Sequence, residues 1–288
     1  MYIVYAAASA VFAGLTAVLA KIGVKEMDST LATAVRTVVV AVFAWLMAWI
    51  TGAVQGLAGV SARTLVFLVL SGLATGASWL CFYRALQLGD MNRVVPIDKS
   101  STVMTMLLAL IFLGEGLTFG KAVCMAAIAA GTLLMIRRAP AAAGEPPKRA
   151  AGTVYALLSA VFASLTSLLA KVGIAEIDSN LGTAVRTTVV LITAWAIVFA
   201  RKKQRGLRAC DARTLAFLAL SGFATGASWL CFYRALQLGP ASVVVPIDKL
   251  SLLVTVACGC LLFRERLEKR AWLGLGLITA GTVAMAFL

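Results

Sequence analysis

The stretch ATGASWLCFYRALQLG occurs twice, letter for letter, as Ala74–Gly89 and as Ala224–Gly239. Each copy keeps one arginine, Arg84 or Arg234, inside an otherwise apolar run. Sliding the chain against itself from this anchor aligns Lys21 with Lys171, Arg36 with Arg186, Trp79 with Trp229, Asp98 with Asp248 and Glu115 with Glu265. The register never slips, and a repeat sustained along a whole chain is an architectural signal.

Composition says which solvent the repeat is built for. The 288 residues are 61% hydrophobic and 13% charged, with a mean hydropathy of +0.96, well outside the usage of water-soluble domains. A bilayer-crossing helix needs about 20 mainly apolar residues. Such runs recur near 2–22, 31–50, 64–88, 94–113 and 119–136, and again near 153–173, 181–200, 214–238, 243–263 and 270–288. The expected fold is therefore an all-α polytopic membrane protein with ten transmembrane helices. Five spans per repeat is an odd number, so the second copy enters the membrane inverted relative to the first. The expected units are a first repeat over 1–138, a cytoplasmic linker over 139–152 in the Ala- and Pro-rich RRAPAAAGEPPKRAA, and a second repeat over 153–288. Met1–Ala20 lacks a basic start and reads as a helix of the mature protein, not a leader.

The net charge of +14 is spread unevenly over the loops. After its second span the first half has TGAVQGLAGVSAR with only Arg63, where the second half has RKKQRGLRACDAR with Arg201, Lys202, Lys203, Arg205, Arg208 and Arg213. Between its last two spans GEGLTFGK carries Lys121, whereas RERLEKR carries Arg264, Arg266, Lys269 and Arg270. With the basic linker, nearly all loop Lys and Arg fall on one side, which the positive-inside rule makes cytoplasmic, with both termini outside. Orientation thus accounts for the base, and no nucleic-acid partner is implied. The chain has no histidine, which excludes His-ligated metal and His-based proton transfer. Its six cysteines fit no metal spacing, and Cys81, Cys124, Cys231, Cys258 and Cys260, which lie in apolar spans, read as buried free thiols. No nucleophile–base pair or phosphate loop is present, so neither a cofactor nor an enzyme is expected.

An arginine at the centre of a membrane helix costs about 2.5–3.5 kcal/mol on insertion scales, so intramembrane charge calls for an account. Snorkelling from near a helix end is one. Lys21, Arg36, Arg84, Asp98 and Lys99, however, all fall near one membrane face, and their equivalents Lys171, Arg186, Arg234, Asp248 and Lys249 near the other. Two such groups could close the two mouths of a central cavity in turn; the competing reading makes them clamps between helices. Adjacent residues lie about 100° apart on a helix, so Asp98 and Lys99 are poorly placed to pair. Arg84 with Asp98, and Arg234 with Asp248, are the expected gate pairs. Arg36, Lys99, Arg186 and Lys249 are then candidate substrate contacts, with Lys21 and Lys171 secondary. If transport is coupled to H+, Asp98 and Asp248 are the titrating groups.

Trp79 and Tyr83, like Trp229 and Tyr233, lie one turn apart and form either an aromatic wall or interfacial anchors. Gly72 with Gly76, and Gly222 with Gly226, allow close helix packing. Pro96 and Pro246 are expected to break the start of their helices, and Glu115 and Glu265 to act as caps or surface pairs. The fifth and tenth spans carry no interior charge and suit packing or dimer contact.

With VVPIDK leading into FLGEGLT (Val94–Thr118), its echo VVPIDKLS and LLFRERLE (Val244–Glu268), and WLCFYRALQLG before each, the chain resembles the drug/metabolite transporter superfamily, and within it the EamA-type family. The resemblance covers essentially all ten spans. It implies a secondary-active carrier in a bacterial-type inner membrane, with spans one to four and six to nine around a central cavity, five and ten outside it, and export as the direction. Its partners would be a small polar or anionic metabolite, H+ and the membrane lipids. One chain suffices for one cavity, and a homodimer is compatible with it. Small multidrug resistance proteins of the same superfamily use a glutamate in their first helix; AASAVFAGLTAVLA (Ala7–Ala20) and SAVFASLTSLLA (Ser159–Ala170) have no acid, which argues against cationic-drug antiport. Well-described ten-span relatives place both termini in the cytoplasm, where the loop charges here place them outside. A passive facilitator and a non-transporting helper subunit binding a partner or lipid headgroups are the alternatives.

Overall fold

The computed structural model describes residues 1–23, 27–88, 94, 97–98, 100–135, 146–263 and 269–288. Lys99, Pro96, Glu265, Arg264 and Arg266 and most of the linker lie outside the described residues, as do the side chains of Lys21, Tyr83 and Arg208.

The first half contributes α1 (Tyr2–Gly23), α2 (Ser29–Ile50), α3 (Ala62–Leu88), α4 (Ser101–Phe112) and α5 (Phe119–Leu134). The second contributes α6 (Pro146–Gly173), α7 (Ser179–Ala200), α8 (Ala212–Leu238), α9 (Ala241–Lys249) and α10 (Ser251–Phe263), which share one span, and α11 (Lys269–Ala286). Seven segments are long and apolar enough to cross a bilayer, among them Ala241–Cys258, which runs through the α9–α10 break. With the shorter apolar helices α4 and α5 and with α11, the ten expected spans are accounted for.

Helix starts follow local chemistry. Asp28 accepts from the Thr30 and Leu31 amides ahead of α2, Asp178 from Asn180 ahead of α7, and Asp211 from Thr214 ahead of α8. Each carboxylate satisfies amides that have no partner within their own helix. The interior is built of small residues, with Ala6, Ala34, Ala44, Ala48, Ala156 and Ala184 fully buried, while Val42, Ile111 and Leu261 are exposed on the outside. That distribution suits helices packed closely in a solvent as apolar as their own side chains.

The inversion can be read from cross-contacts. Asp28, before α2, meets Lys203, after α7, at 3.1 Å, while Asn180 at the start of α7 donates to Thr51 at the end of α2. The two equivalent helices therefore run antiparallel. Tyr2 packs at Gly239 and Leu288 at Gly120, so both termini share the end of the bundle opposite Lys203. We call these the terminal end and the basic end.

The halves interlock instead of sitting side by side. α1 packs along α8, and α6 along α3, the third span of the other half. Ser71 on α3 donates to the Thr166 carbonyl at 2.7 Å, and its equivalent Ser221 to the Thr16 carbonyl at 3.1 Å. α3 also meets α7 at Gly72, where an added Cβ would lie 2.7 Å from Val189 Cβ and 3.2 Å from the Arg186 carbonyl. α5 and α11 pair with each other through Gly131 and Gly274, where an added Cβ on either would fall 2.6 Å from the other's carbonyl oxygen.

Candidate functional site

The two intramembrane acids have surroundings that repeat. The helix runs through Pro246 and breaks at Leu250, not at the start of the span as the proline suggested. The Leu250 amide bonds the Ile247 carbonyl at 3.0 Å and the Leu253 amide the Leu250 carbonyl at 2.8 Å. These three-residue turns replace the α-helical pattern. In the first half the Ser100 amide bonds the Ile97 carbonyl at 3.2 Å in the same way. Asp98 and Asp248 thus sit two residues before matched breaks.

Each carboxylate is held by a serine from the other half. Ser9 on α1 donates to Asp248 Oδ1 at 2.7 Å, and Ser159 on α6 donates to Asp98 Oδ1 at 2.7 Å. Behind each stands a second serine, Ser228 Oγ 3.1 Å from Ser9 Oγ and Ser78 Oγ 3.3 Å from Ser159 Oγ. Ser9 and Ser159 are fully buried.

Arg186 is 2% exposed, the largest of the fully buried side chains. Its Nε donates to Ser71 Oγ at 2.9 Å and its Nη2 to Thr75 Oγ1 at 2.7 Å. Its guanidinium carbon lies 5.0 Å from the Trp229 ring centre and 4.7 Å from that of Tyr233. Both separations are within cation–π range. Nη1 is buried and has no hydrogen-bond partner among the described residues. No described carboxylate lies within ion-pair distance of this arginine.

Two adjoining cavities occupy the middle of the bundle. One, ≈ 300 Å³, is lined by Arg186, Trp229, Tyr233, Asp248 and Lys249 among others; the second, ≈ 360 Å³, by Arg36, Thr33, Phe82 and Asp98. Ser78, Trp79, Ala163 and Lys249 line both. Arg36 and Asp98 from one charge group and Arg186, Asp248 and Lys249 from the other therefore line adjoining cavities. Arg36 and Arg186 each lie seven residues into their helix, or about 10 Å at 1.5 Å per residue. They enter a core about 30 Å thick from opposite ends, which puts both well inside it.

Two further expectations need correction. Asp248 and the adjacent Lys249 do approach, at 3.7 Å between Oδ2 and Nζ, because a four-carbon stem spans the angle between neighbouring positions at a helix end. The Arg234–Asp248 and Arg84–Asp98 gate pairs are not formed. Arg234 donates to Gln237 at 2.6 Å, and Asp98 is bonded by Ser159. Arg84 and Arg234 lie nine residues beyond Thr75 and Thr225, which at 100° per residue puts them on the opposite helix face. The charge in the repeated stretch thus faces away from the cavity, and Arg84 is exposed. Gln237 in turn donates to the Ile174 and Ile177 carbonyls, tying the end of α8 to the α6–α7 turn.

Lys171 and Glu115 belong to a third assembly, at the terminal end. Glu115 Oε1 accepts from the Ala241 amide at 2.6 Å and Oε2 from the Ser242 amide at 2.9 Å, so a first-half carboxylate caps a second-half helix. Lys171 Nζ lies 3.6 Å from Glu115 and donates to the Gly239 carbonyl. Lys171 is thus placed in a helix cap and is absent from the lining of both cavities.

The family model of the EamA-like transporter family matches residues 1–137 and again 150–287. The chain belongs to the EamA-like transporter family. It is similar to a Sinorhizobium sp. protein named "Uncharacterized transporter in cobO 3'region", 48% identical over 132 residues. That match covers 46% of this chain and 94% of the relative, so the relative has the length of one repeat. A solved crystal structure, titled only as a protein, superposes with a TM-score of 0.74 at 15% identity, over 98% of this chain and 95% of its own. At that identity it supports the fold alone.

For a transporter of this family the residues missed by sequence reasoning are the hydroxyls: Ser9, Ser159, Ser71 and Thr75. A signal existed. SAVFA stands at both Ser9–Ala13 and Ser159–Ala163, and Ser71 and Thr75 recur as Ser221 and Thr225. Hydroxyls inside membrane helices ordinarily bond their own backbone, which hides those that also serve an acid or a guanidinium.

Proposed function

We propose that the chain is a secondary-active transporter of a small polar or anionic metabolite, working by alternating access in a bacterial-type inner membrane. The observation that carries this reading is the pair of adjoining central cavities, one lined by Arg36 and the other by Arg186 from the opposite half, with Lys249 lining both. A site between inverted repeats can be exposed to either end by rocking one half against the other. The placement of both termini opposite Lys203 supports an orientation with the termini outside, given the positive-inside rule. Export is the direction the family resemblance favours. Asp98 and Asp248, each bonded across the halves, are the groups on which proton coupling would fall, since protonation changes a carboxylate from acceptor to donor.

The test is efflux from proteoliposomes loaded with a mixed metabolite extract, followed by mass spectrometry with and without an imposed pH gradient. Depletion of small anions that responds to the gradient, and stops responding in Asp98→Asn with Asp248→Asn, is the expected result. Depletion indifferent to the gradient would make the chain a facilitator. No depletion relative to empty vesicles would make it a helper subunit.

A further inference from the structure

The geometry points to a subsite for a single carboxylate at Arg186, taking a monovalent acid in preference to a phosphate ester or a dicarboxylate. This deepens the proposed transport reading and rests on it. A guanidinium carries five N–H donors. Nε and Nη2 form the side-on fork, and both are spent on Ser71 and Thr75. Nη1, with the second hydrogen of Nη2, forms the end-on fork, and Nη1 is buried and unpartnered among the described residues. Arg186 lines the ≈ 300 Å³ cavity. A planar carboxylate matches such a fork with two parallel hydrogen bonds.

Charge narrows the ligand further. Among the described residues, the charged groups facing this cavity are Arg186 on α7, and Asp248 and Lys249 on α9. Lys249 lies 3.7 Å from Asp248, which leaves one positive charge in excess, that of Arg186. The neighbouring cavity adds Arg36 and Asp98, one of each sign, so among the described residues the excess over both cavities is still one. A monocarboxylate neutralises it. A phosphate ester, at about −1.5 to −2 near pH 7, would leave uncompensated negative charge beside Asp248 in a confined space.

The alternative, that Arg186 is a clamp between α7 and α3, makes an opposite forecast for the empty protein. Ser71 sends its own proton to the Thr166 carbonyl, and Thr75 sends its proton to the Ser71 carbonyl. Neither hydroxyl depends on Arg186 for a donor-satisfying partner. Removing the guanidinium therefore strands nothing and relieves a buried, half-satisfied cation. Arg186→Met is expected to melt, in detergent and without ligand, within about 2 °C of the parent or above it, whereas loss of a working clamp would lower Tm by about 5 °C or more.

The experiment pairs that measurement with thermal shifts of the full chain in low-salt buffer against lactate, benzoate, succinate, glycerol 3-phosphate and lactamide. At saturating ligand a shift of several degrees follows from mass action. The expected result is a shift of the parent by the monocarboxylates that exceeds the shift by succinate or glycerol 3-phosphate, none by lactamide, and none of any kind in Arg186→Met. Arg186→Lys, which keeps the charge and loses the fork, should retain less than a tenth of the affinity. Destabilisation of ligand-free Arg186→Met would overturn the subsite in favour of the clamp. So would equal or stronger shifts by the dianions, or no shift of the parent by any anion. The proteoliposome assay separates the two levels: efflux of neutral or cationic compounds that survives in Arg186→Met would sink the subsite and leave the transporter standing.

Discussion

The two copies of the sixteen-residue stretch have the same letters and different surroundings. Arg84 is exposed, while Arg234 is half-buried. Leu80 is 44% exposed and Leu230 only 9%. Arg36, on the helix that packs beside the second copy, is half-buried, and Arg186, beside the first, is 2% exposed. Since local sequence is identical, the difference comes entirely from what each copy meets. At the terminal end Glu115, Lys171, Gln237 and the start of α9 are drawn into one hydrogen-bonded assembly. Identical letters are thus held in surroundings that differ between the two copies.

The most direct way to break the comparison is to unfasten that end. Glu115 has a side chain only 10% exposed and serves two amides and a lysine. Glu115→Ala leaves two N-terminal helix amides and a half-buried ammonium without their acceptor, and should cost about 2–3 kcal/mol. The measurement is Tm of the purified protein in detergent. Glu115→Gln keeps an acceptor and should cost about half as much. The same change at the repeat equivalent, Glu265→Ala, sharpens the comparison: an equal cost would mean that the two ends are built alike and exchange roles during transport.

A second test asks whether helix packing really is equivalent in the two halves. Gly72 faces Val189 and the Arg186 carbonyl, and Gly222 faces Val39 and the Arg36 carbonyl, with an added Cβ at 2.7 and 2.6 Å from the respective valine Cβ atoms. Gly72→Ala and Gly222→Ala should each lower stability by about 1–3 kcal/mol through overpacking. They should do so alike. A difference of more than about 1 kcal/mol between them, on the scale of single-site effects, would show that the asymmetry reaches into the packed core.

How much of this was legible beforehand differs between the frame and the site. Ten apolar runs, an odd repeat and one-sided loop charge state the inverted fold directly, because each is a property of sequence period and composition. The charged side chains of the site were legible as well, since Arg36, Arg186, Asp98 and Asp248 stand out against apolar neighbours. Their partners were not. Arg84 and Asp98 are close in the chain and opposite in sign, yet a helix turning 100° per residue sends Arg84 away from the face that carries Thr75 and Trp79. The interlocking of α1 with α8 and of α6 with α3 decides which serine reaches which aspartate, and that is a tertiary fact no linear pattern states. Nor does distance along a helix reveal depth until the packing of the two halves is known, which is why Arg36 and Arg186, expected at opposite mouths, line adjoining cavities.

The smallest effect tests the inversion itself. Asp28 and Lys203 meet at 3.1 Å with side chains 35% and 49% exposed. Partial burial works to raise the Asp28 pKa, but hydrogen bonds from the Lys203 ammonium and the Leu31 and Thr30 amides outweigh it and leave the carboxyl below its ordinary value. A depressed carboxyl pKa adds stability that is complete above the unfolded value, near 3.9, and is lost as pH falls through the folded one. Between pH 5 and 9 the pair should therefore contribute a constant amount, and below about pH 4 it should fade. Both groups are well exposed, so Lys203→Met should cost less than about 1 kcal/mol, and less still in high salt. The pair is more informative as a ruler than as a bond. Asp28→Cys with Lys203→Cys should form a disulfide under mild oxidation, detected as a shift in gel mobility after cleavage within the linker. The two loops can meet only if the second repeat enters the membrane opposite to the first, because parallel repeats would place α2's beginning and α7's end on different sides of the bilayer. Failure of that cross-link, alongside success of a control pair within one half, would overturn the antiparallel arrangement of α2 and α7 on which the comparison of the two copies depends.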